Sequence, residues 1–318
     1  MRLDAGTLYA FAWRNAGRVP GPVLRGMGNL AADVSWLAHG HGVRQLEANY
    51  ARVRPDLDGR AVRRLSRAGM RSYLRYFGEA FSLTHASPEQ IDARVRASGL
   101  DRVRALLAEG STVVLALGHL GNWDLAGAWA GRNVGLVTTV AERLEPEEVF
   151  QEFLAFRQGL GMRILALGDG DVFRDLLRTA RDGEGLIPLL ADRDLTAKGI
   201  EVELAGRRAR VAAGPAALAV AAQATLMTTV ISYERLRGAR RRAAGTPWGI
   251  HIEFGTALVA GAGLSRNEQV RALTEQWVTE LLDGIRRHPQ DWHMLQKVFV
   301  EDLDPDRYAA TLAREASA

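Results

Sequence analysis

A histidine and an aspartate five residues apart, His119 and Asp124, stand where a strand-like run gives way to a helix-like one. The run reads Leu115-Ala-Leu-Gly118-His119-Leu-Gly121-Asn122-Trp123-Asp124. The apolar stretch stops at Gly118, the histidine follows at once, and a helix is expected to begin near Asn122. Open α/β sheets bind ligands at the carboxyl ends of their strands. Glycines at 118 and 121 let the backbone turn tightly and let a substrate come close. On one continuous helix His119 and Asp124 would sit roughly 140° apart and would not face each other. If the histidine precedes the helix, the turn can bring Asp124 back towards its ring. The carboxylate would then fix the tautomer and stabilise the imidazolium, leaving the other nitrogen to take a proton from a hydroxyl. A side chain with a near-neutral pKa suits that task. The bland alternative is a histidine that caps a helix or satisfies a buried carbonyl.

Other chemistries find less support. The chain has no cysteine, which excludes disulfides, thiolate zinc sites and a cysteine nucleophile. Its other histidines are His39, His41, His85, His251, His288 and His293, and none makes a recognisable ligand pair with His119. No metal and no cofactor is therefore expected. Neither a G-x-S-x-G elbow nor a Walker or dinucleotide loop is present. With no serine or cysteine nucleophile indicated, a hydroxyl attacking its substrate directly is the expected route.

The elements around the motif point to an α/β fold with a central, mostly parallel sheet covered by helices on both faces. Short apolar runs predict strands at Thr112–Leu117, Val134–Val140, Arg163–Leu167, Leu186–Leu190, Leu226–Ser232 and Trp248–Phe254, with helical segments between them. Glu201–Leu204 and Ala209–Val211 are expected to form a hairpin around Gly206. Val270, Leu273, Trp277, Leu281 and Ile285 share one stripe of a final helix over about Asn267–Arg287. Residues 1–97 read as mainly helical. Leu8, Phe11 and Trp13 lie in a short first helix. Leu24, Met27, Leu30, Ala31, Val34, Leu37 and Ala38 recur at helical spacing after Pro20 and Pro22. Met70–Leu83 carries Tyr73, Tyr76, Phe77, Ala80 and Phe81. Residues 98–300 form the α/β core. No repeat or long linker divides the chain, so residues 1–318 are expected to be a single domain and a monomer.

Arginine dominates the 41 basic residues against 37 acidic ones, a net charge of +4. The arginine bias suits an anionic lipid surface, or reflects composition alone. The basic residues follow no nucleic-acid-binding pattern, so no nucleic-acid partner is expected. Arg235–Arg242 reads as a basic loop between two strands, either simply solvated or helping to hold the protein on anionic lipid. The N-terminus lacks a signal-peptide pattern, because Arg2, Asp4, Arg14 and Arg18 interrupt any apolar run. From Val211 to Ser232 no residue is charged, about the length of a membrane span. Its Ala-rich makeup, with Gly214, Pro215 and Gln223, reads instead as a buried helix followed by a buried strand. Helices near the N-terminus, packed on the core or touching a bilayer, would place the chain peripherally at the cytoplasmic face of the inner (plasma) membrane.

Gly118-His119-Leu-Gly-Asn-Trp-Asp124 resembles the H-x4-D/E block of the lysophospholipid and late lipid A acyltransferase superfamily. Thr139-Val-Ala-Glu142-Arg143-Leu, Ala191-Asp192-Arg193-Asp194-Leu-Thr, Ala213-Gly-Pro-Ala-Ala-Leu and Pro289-Gln-Asp-Trp292-His293-Met-Leu-Gln are similar to segments of the phosphatidylinositol mannoside acyltransferases. The resemblance spans nearly the whole chain. It implies transfer of a palmitoyl chain from acyl-CoA to a mannose hydroxyl of a phosphatidylinositol mannoside, with an apolar tunnel for the acyl tail. It also implies that His119 deprotonates the hydroxyl, that Asp124 orients it, and that a further acidic residue, here Asp192, lies near the histidine. Close relatives can carry glutamate at that position, and the shorter aspartate reaches differently. Asp192 also follows the run Leu186–Leu190, another strand end, although Asp192 and Arg193 could equally form a structural ion pair or cap. Glu142, Arg143, Arg157 and Arg193 are expected around the acyl and headgroup sites, and His293 in the acceptor pocket. Arginine suits phosphate through its planar donor fork. Rival readings are another lipid acceptor (a lipid A-type glucosamine lipid or a lysophospholipid), an acyl-CoA thioesterase, or a non-catalytic lipid-binding protein.

Overall fold

The computed structural model describes residues 19–143, 147–168, 170–183, 185–194, 196 and 198–316. The helix expected around Leu8, Phe11 and Trp13 lies outside the described residues.

Helices come first: α1 (Gly21–Ala38), α2 (His41–Val53), α3 (Gly59–Leu83) and α4 (Pro88–Arg94). Proline opens α1 and α4, where its missing N–H costs nothing. Ser87 and Gln90 close a reciprocal capping box on α4. The chain then alternates through β1 (Val95–Ser98), α5 (Leu100–Ala108), β2 (Val113–Leu117), α6 (Trp123–Asn133), β3 (Val137–Ala141), α7 (Glu147–Gly159), β4 (Met162–Ala166), α8 (Val172–Arg181) and β5 (Leu186–Leu190). A hairpin follows, β6 (Gly199–Leu204) and β7 (Arg207–Ala212). The remaining elements are α9 (Gly214–Ala222), β8 (Thr225–Arg235), α10 (Gly238–Ala244), β9 (Trp248–Leu258), α11 (Arg266–Arg287) and α12 (Pro305–Ala316).

Seven strands form one sheet in the order β1-β9-β8-β2-β5-β3-β4. From β8 to β4 the pairs are parallel; β9 runs antiparallel to β8, and β1 pairs parallel with β9. The expected α/β fold and mostly parallel sheet are therefore found. Alternation along the central strands divides the core in two. Val114 and Ala116 of β2, with Ile187 and Leu189 of β5, meet α9 and the Trp277–Leu281 stripe of α11 on one face. Val113, Leu115, Leu117 and Leu186 meet Leu125 and Ala128 of α6 on the other. Burial on both sides explains why these strands read as unbroken apolar runs.

Two further expectations are met, the helix and strand of the uncharged stretch and the hairpin around Gly206, and others shift. The uncharged stretch 211–232 is the end of β7, then α9 and β8, and no described helix is long and apolar enough to cross a membrane. The hairpin turns on Ala205 and Gly206, both with positive φ, as a two-residue turn requires. β1 is a further strand: Val-Arg-Ala-Ser is too short and polar to announce itself and exists by pairing with β9. Arg235–Arg242 is not a loop. Arg235 ends β8, Gly238–Ala244 is a helix, and Arg240 pairs with Glu234 at 2.8 Å. The helix over 266–287 is not the last, since α12 follows it.

Candidate active site

The turn after β2 is held from outside its own strand. Gly121 N donates to Asp291 O (2.9 Å), and His293 N donates to His119 O (2.8 Å). The segment after α11 thus zips onto residues 119–121, with Leu120 bridging Trp292. Gly121 adopts φ 62°, and a side chain there would put its Cβ 2.6 Å from Ile231 O. At Gly118 a Cβ would stand 3.2 Å from Asp192 Oδ2, so the glycine leaves room for that carboxylate.

Asp192, 2% exposed, is the group that holds the histidine. Its Oδ1 lies 2.6 Å from His119 Nδ1. Its Oδ2 accepts from His119 N at 3.0 Å and from Trp292 Nε1 at 2.8 Å. The register of the sheet explains the pairing. β2 and β5 are adjacent and parallel, with Leu117 opposite Leu190, so two residues further on His119 stands opposite Asp192. An ionised carboxylate is acceptor-only. Nδ1 therefore carries the ring hydrogen and Nε2 is left as the lone pair, with no hydrogen bond among the described residues. Burial pushes the His119 pKa down, but the Asp192 charge and hydrogen bond outweigh it, and the pKa stands above the ordinary histidine value. Arg193 opposes that rise and Glu142 adds to it. Asp192 is held below the usual aspartate value: burial alone would raise it, and His119 and the donors around it prevail.

The expected orientation of His119 by Asp124 is not what the structure shows. Asp124 sits in the first turn of α6, whose N-terminus is capped by Asn122 through Leu125 N (2.9 Å). Both its oxygens turn away from the histidine. Oδ1 accepts from Arg157 Nε at 2.8 Å and Oδ2 from Tyr76 OH at 2.7 Å. Burial lowers the Arg157 pKa, but Asp124 and Tyr76 reverse this and hold it above the usual arginine value. The two partners of the H-x4-D motif thus serve different contacts: the histidine belongs to a dyad with Asp192, and the aspartate ties α6 to α3 and α7.

The remaining expected residues divide. Glu142, Arg157 and His293 line a cleft of about 1330 Å³ beside His119, walled also by Tyr73, Tyr76 and Phe77. Arg193 lies close enough for its charge to act on His119, and its Nε donates to Lys297 O at 3.1 Å. Arg143 turns to the surface and pairs with Glu147 at 2.9 Å, outside the residues that line the cleft. A narrow apolar cavity extends between α6 and the sheet, bounded by Leu115, Ala126, Val137, Leu186 and Phe254. It shares Trp123, Arg157 and Leu190 with the cleft, so the histidine stands near the mouth of an apolar chamber. Tyr76 and Trp292 are site residues that the sequence does not single out. Their polar contacts join residues 48 and 100 positions apart, a distance at which no local pattern speaks.

Comparison with known proteins adds an independent line. Residues 4–301 match the model of a family described as bacterial lipid A biosynthesis acyltransferase. The chain is 34% identical over 307 residues to the phosphatidylinositol mannoside acyltransferase of Mycolicibacterium smegmatis, an alignment covering 95% of this chain and 93% of that protein. It is also 34% identical over 315 residues to the phosphatidylinositol mannoside acyltransferase of Mycobacterium tuberculosis (strain H37Rv), covering 96% and 92%.

Proposed function

We propose that this chain, which belongs to the bacterial lipid A biosynthesis acyltransferase family and is an acyltransferase, moves a long acyl chain, palmitoyl, from acyl-CoA to a mannose hydroxyl of a phosphatidylinositol mannoside. The observation that carries the mechanism is the His119–Asp192 pair at 2.6 Å, with Nε2 unengaged, at the mouth of the apolar chamber. Asp192 holds the tautomer in which Nε2 accepts a proton. The sugar oxygen attacks the thioester carbonyl carbon while its proton passes to Nε2. The tetrahedral intermediate collapses, the C–S bond breaks, and the thiolate of coenzyme A takes the proton back from the imidazolium. No side chain is acylated on this route. The apolar chamber takes the acyl tail, and its length sets chain preference.

The same reading places a single-domain monomer peripherally on the cytoplasmic face of the inner membrane. Its support is α1, where Val23, Met27, Leu30, Val34 and Leu37 recur at helical spacing and are 51 to 68% exposed. Beside that ridge Arg67 and Arg71 of α3 meet Asp33 at 2.7 and 2.5 Å. An apolar ridge bordered by arginines suits an anionic bilayer surface.

The test is release of coenzyme A from palmitoyl-CoA, with and without purified phosphatidylinositol mannoside, for the wild type and a folded His119→Ala variant. Glycolipid-dependent release that disappears in the variant is expected. Release indifferent to the glycolipid would make the protein a thioesterase, and undiminished release by the variant would remove His119 from the chemistry.

A further inference from the structure

A second imidazole faces the cleft beside His119, and its hydrogen-bonding state is set by residues that do not themselves line the cleft. His293 is 6% exposed, and its Nε2 lies 3.1 Å from Ser72 Oγ. Ser72 has one hydroxyl hydrogen to give. Its acceptor is Asp291 Oδ1, at 2.8 Å. The other Asp291 oxygen already accepts from Tyr233 N at 2.9 Å. With the hydroxyl hydrogen directed to Asp291, Ser72 Oγ presents a lone pair to His293, so Nε2 must carry the ring hydrogen. A second donor, Arg75 Nη1, approaches the same Ser72 oxygen at 3.5 Å, which agrees with that oxygen acting as acceptor.

Nδ1 of His293 is then a bare lone pair, buried and without a hydrogen-bond partner among the described residues. Buried polar atoms left unpaired are costly and uncommon, so such an atom on a cleft wall marks a place for a ligand donor. It is not a second base. Burial, with Arg75 and His119 adding to it, pushes the His293 pKa down to about 3. The ring stays neutral and accepts a hydrogen bond without removing the proton.

We propose that Ser72 and Asp291 are positioning residues that lock His293 as an acceptor for a second hydroxyl of the acyl acceptor, so that the site selects polyhydroxylated acceptors over those with one free hydroxyl. The proposal rests on the reading of His119 as the base for the first hydroxyl. The two imidazoles line one cleft, with a strong acceptor at His119 Nε2 and a weak one at the buried His293 Nδ1. A sugar diol satisfies both. A lysophospholipid with a single glycerol hydroxyl leaves the second orphaned, and a site built to hydrogen-bond a hydroxyl discriminates strongly against an analogue lacking it.

Two measurements on the full chain in detergent micelles test this. Nitrogen NMR of histidine-labelled protein reads the tautomer directly, whatever the acceptor proves to be. The wild type should show His293 protonated at Nε2, and Ser72→Ala should lose that preference, whereas Ser72→Thr keeps it. A wild-type ring protonated at Nδ1 overturns the proposal. Kinetics with palmitoyl-CoA should show Ser72→Ala raising the KM for phosphatidylinositol mannoside by roughly tenfold or more, by a larger factor than kcat falls. Ser72→Thr should restore the wild-type KM. Rates with 1-acyl-lysophosphatidylcholine should be lower than with the glycolipid in the wild type, and that ratio should shrink in Ser72→Ala. An unchanged KM and unchanged ratio in a folded Ser72→Ala protein overturn the selectivity role. If the wild type transfers to no lipid at all, the acyltransfer reading fails instead, and the NMR result still decides the tautomer.

Discussion

Replacing Asp192 with asparagine keeps the shape of the dyad and inverts its hydrogen bonding. Asp192 accepts three hydrogen bonds: Nδ1–H of His119 at Oδ1, and His119 N–H and Trp292 Nε1–H together at Oδ2. Asparagine has one carbonyl oxygen and one NH2 group. Two fixed donors converge where Oδ2 stands, so the carbonyl oxygen belongs there. The NH2 must then face His119 Nδ1, which becomes an acceptor, and the ring hydrogen moves to Nε2. The nitrogen that should take the proton now carries one. In the Ser-His-Asp triad of a serine protease, replacing the carboxylate that sets the tautomer by its amide lowers kcat by about 10⁴. A fall of about 10³–10⁴ is expected here, roughly 4–5.5 kcal/mol of transition-state stabilisation. The sign of the pH dependence follows from the same contact. The pKa of His119 is raised, so protonation disables the base until the pH passes that value. In the wild type kcat/KM should rise with pH, with a midpoint above 6.5. Without the carboxylate's charge the imidazolium is less stabilised, and the residual activity of Asp192→Asn should show its midpoint at lower pH. The assay is coenzyme A release with saturating glycolipid across the pH range, on protein whose thermal unfolding matches the wild type. A variant within tenfold of wild-type kcat, or a midpoint that does not move, would refute the assignment of Asp192 to the dyad.

Asp124→Ala should act on stability before chemistry: it leaves Arg157 mostly buried and without its carboxylate, at a cost of about 3–5 kcal/mol. Urea unfolding measures this, and a loss below about 1 kcal/mol would mean the pair does not tie α6 to α7. Gly127→Leu should shorten the preferred acyl chain, because even a Cβ there would stand 2.4 Å from Met162 Sδ and push into the apolar chamber. Competition among acyl-CoA donors of increasing length reads the preference, and an unchanged order would place the tail elsewhere. Leu30→Glu with Leu37→Glu, on the exposed ridge of α1, should reduce sedimentation with anionic liposomes while leaving thermal unfolding near the wild type. Undiminished sedimentation would assign the ridge another role.

The strands that frame the site were readable because they are buried on both faces. β5 was bounded correctly at Leu186–Leu190, and β2 within one residue of its start. Signals weakened wherever pairing, rather than composition, makes the element. β8 and β9 each run to 11 residues, beyond their apolar centres, because each supports the other in an antiparallel ribbon. β1 has only β9 to explain it. The basic stretch after β8 looked like a loop because its arginines hide a short helix whose buried contribution is Ala244 alone.

The motif itself shows where a spacing argument stops. His119 and Asp124 share a strand-to-helix turn, and the turn was located correctly from its glycines and the end of the apolar run. What spacing could not supply was the neighbour of β2. Of the strands flanking it, β5 stops at Leu190 and the chain beyond it sets Asp192 on the level of His119, whereas β8 continues there with Ile231. Only the first offers a carboxylate, and the sheet order that places it there joins residues 73 positions apart. Asp124, close in sequence, is carried away by the helix it begins and is taken by Arg157 and Tyr76. Trp292 strengthens the same choice. Its indole N–H fixes Asp192 Oδ2 from a segment that also binds the backbone of residues 119 and 121. Histidine, aspartate and tryptophan thus arrive from three separated stretches of chain. The orientation of the base depends on the register of two parallel strands, so substitutions that loosen the packing between β2 and β5 should damage activity through the position of Asp192.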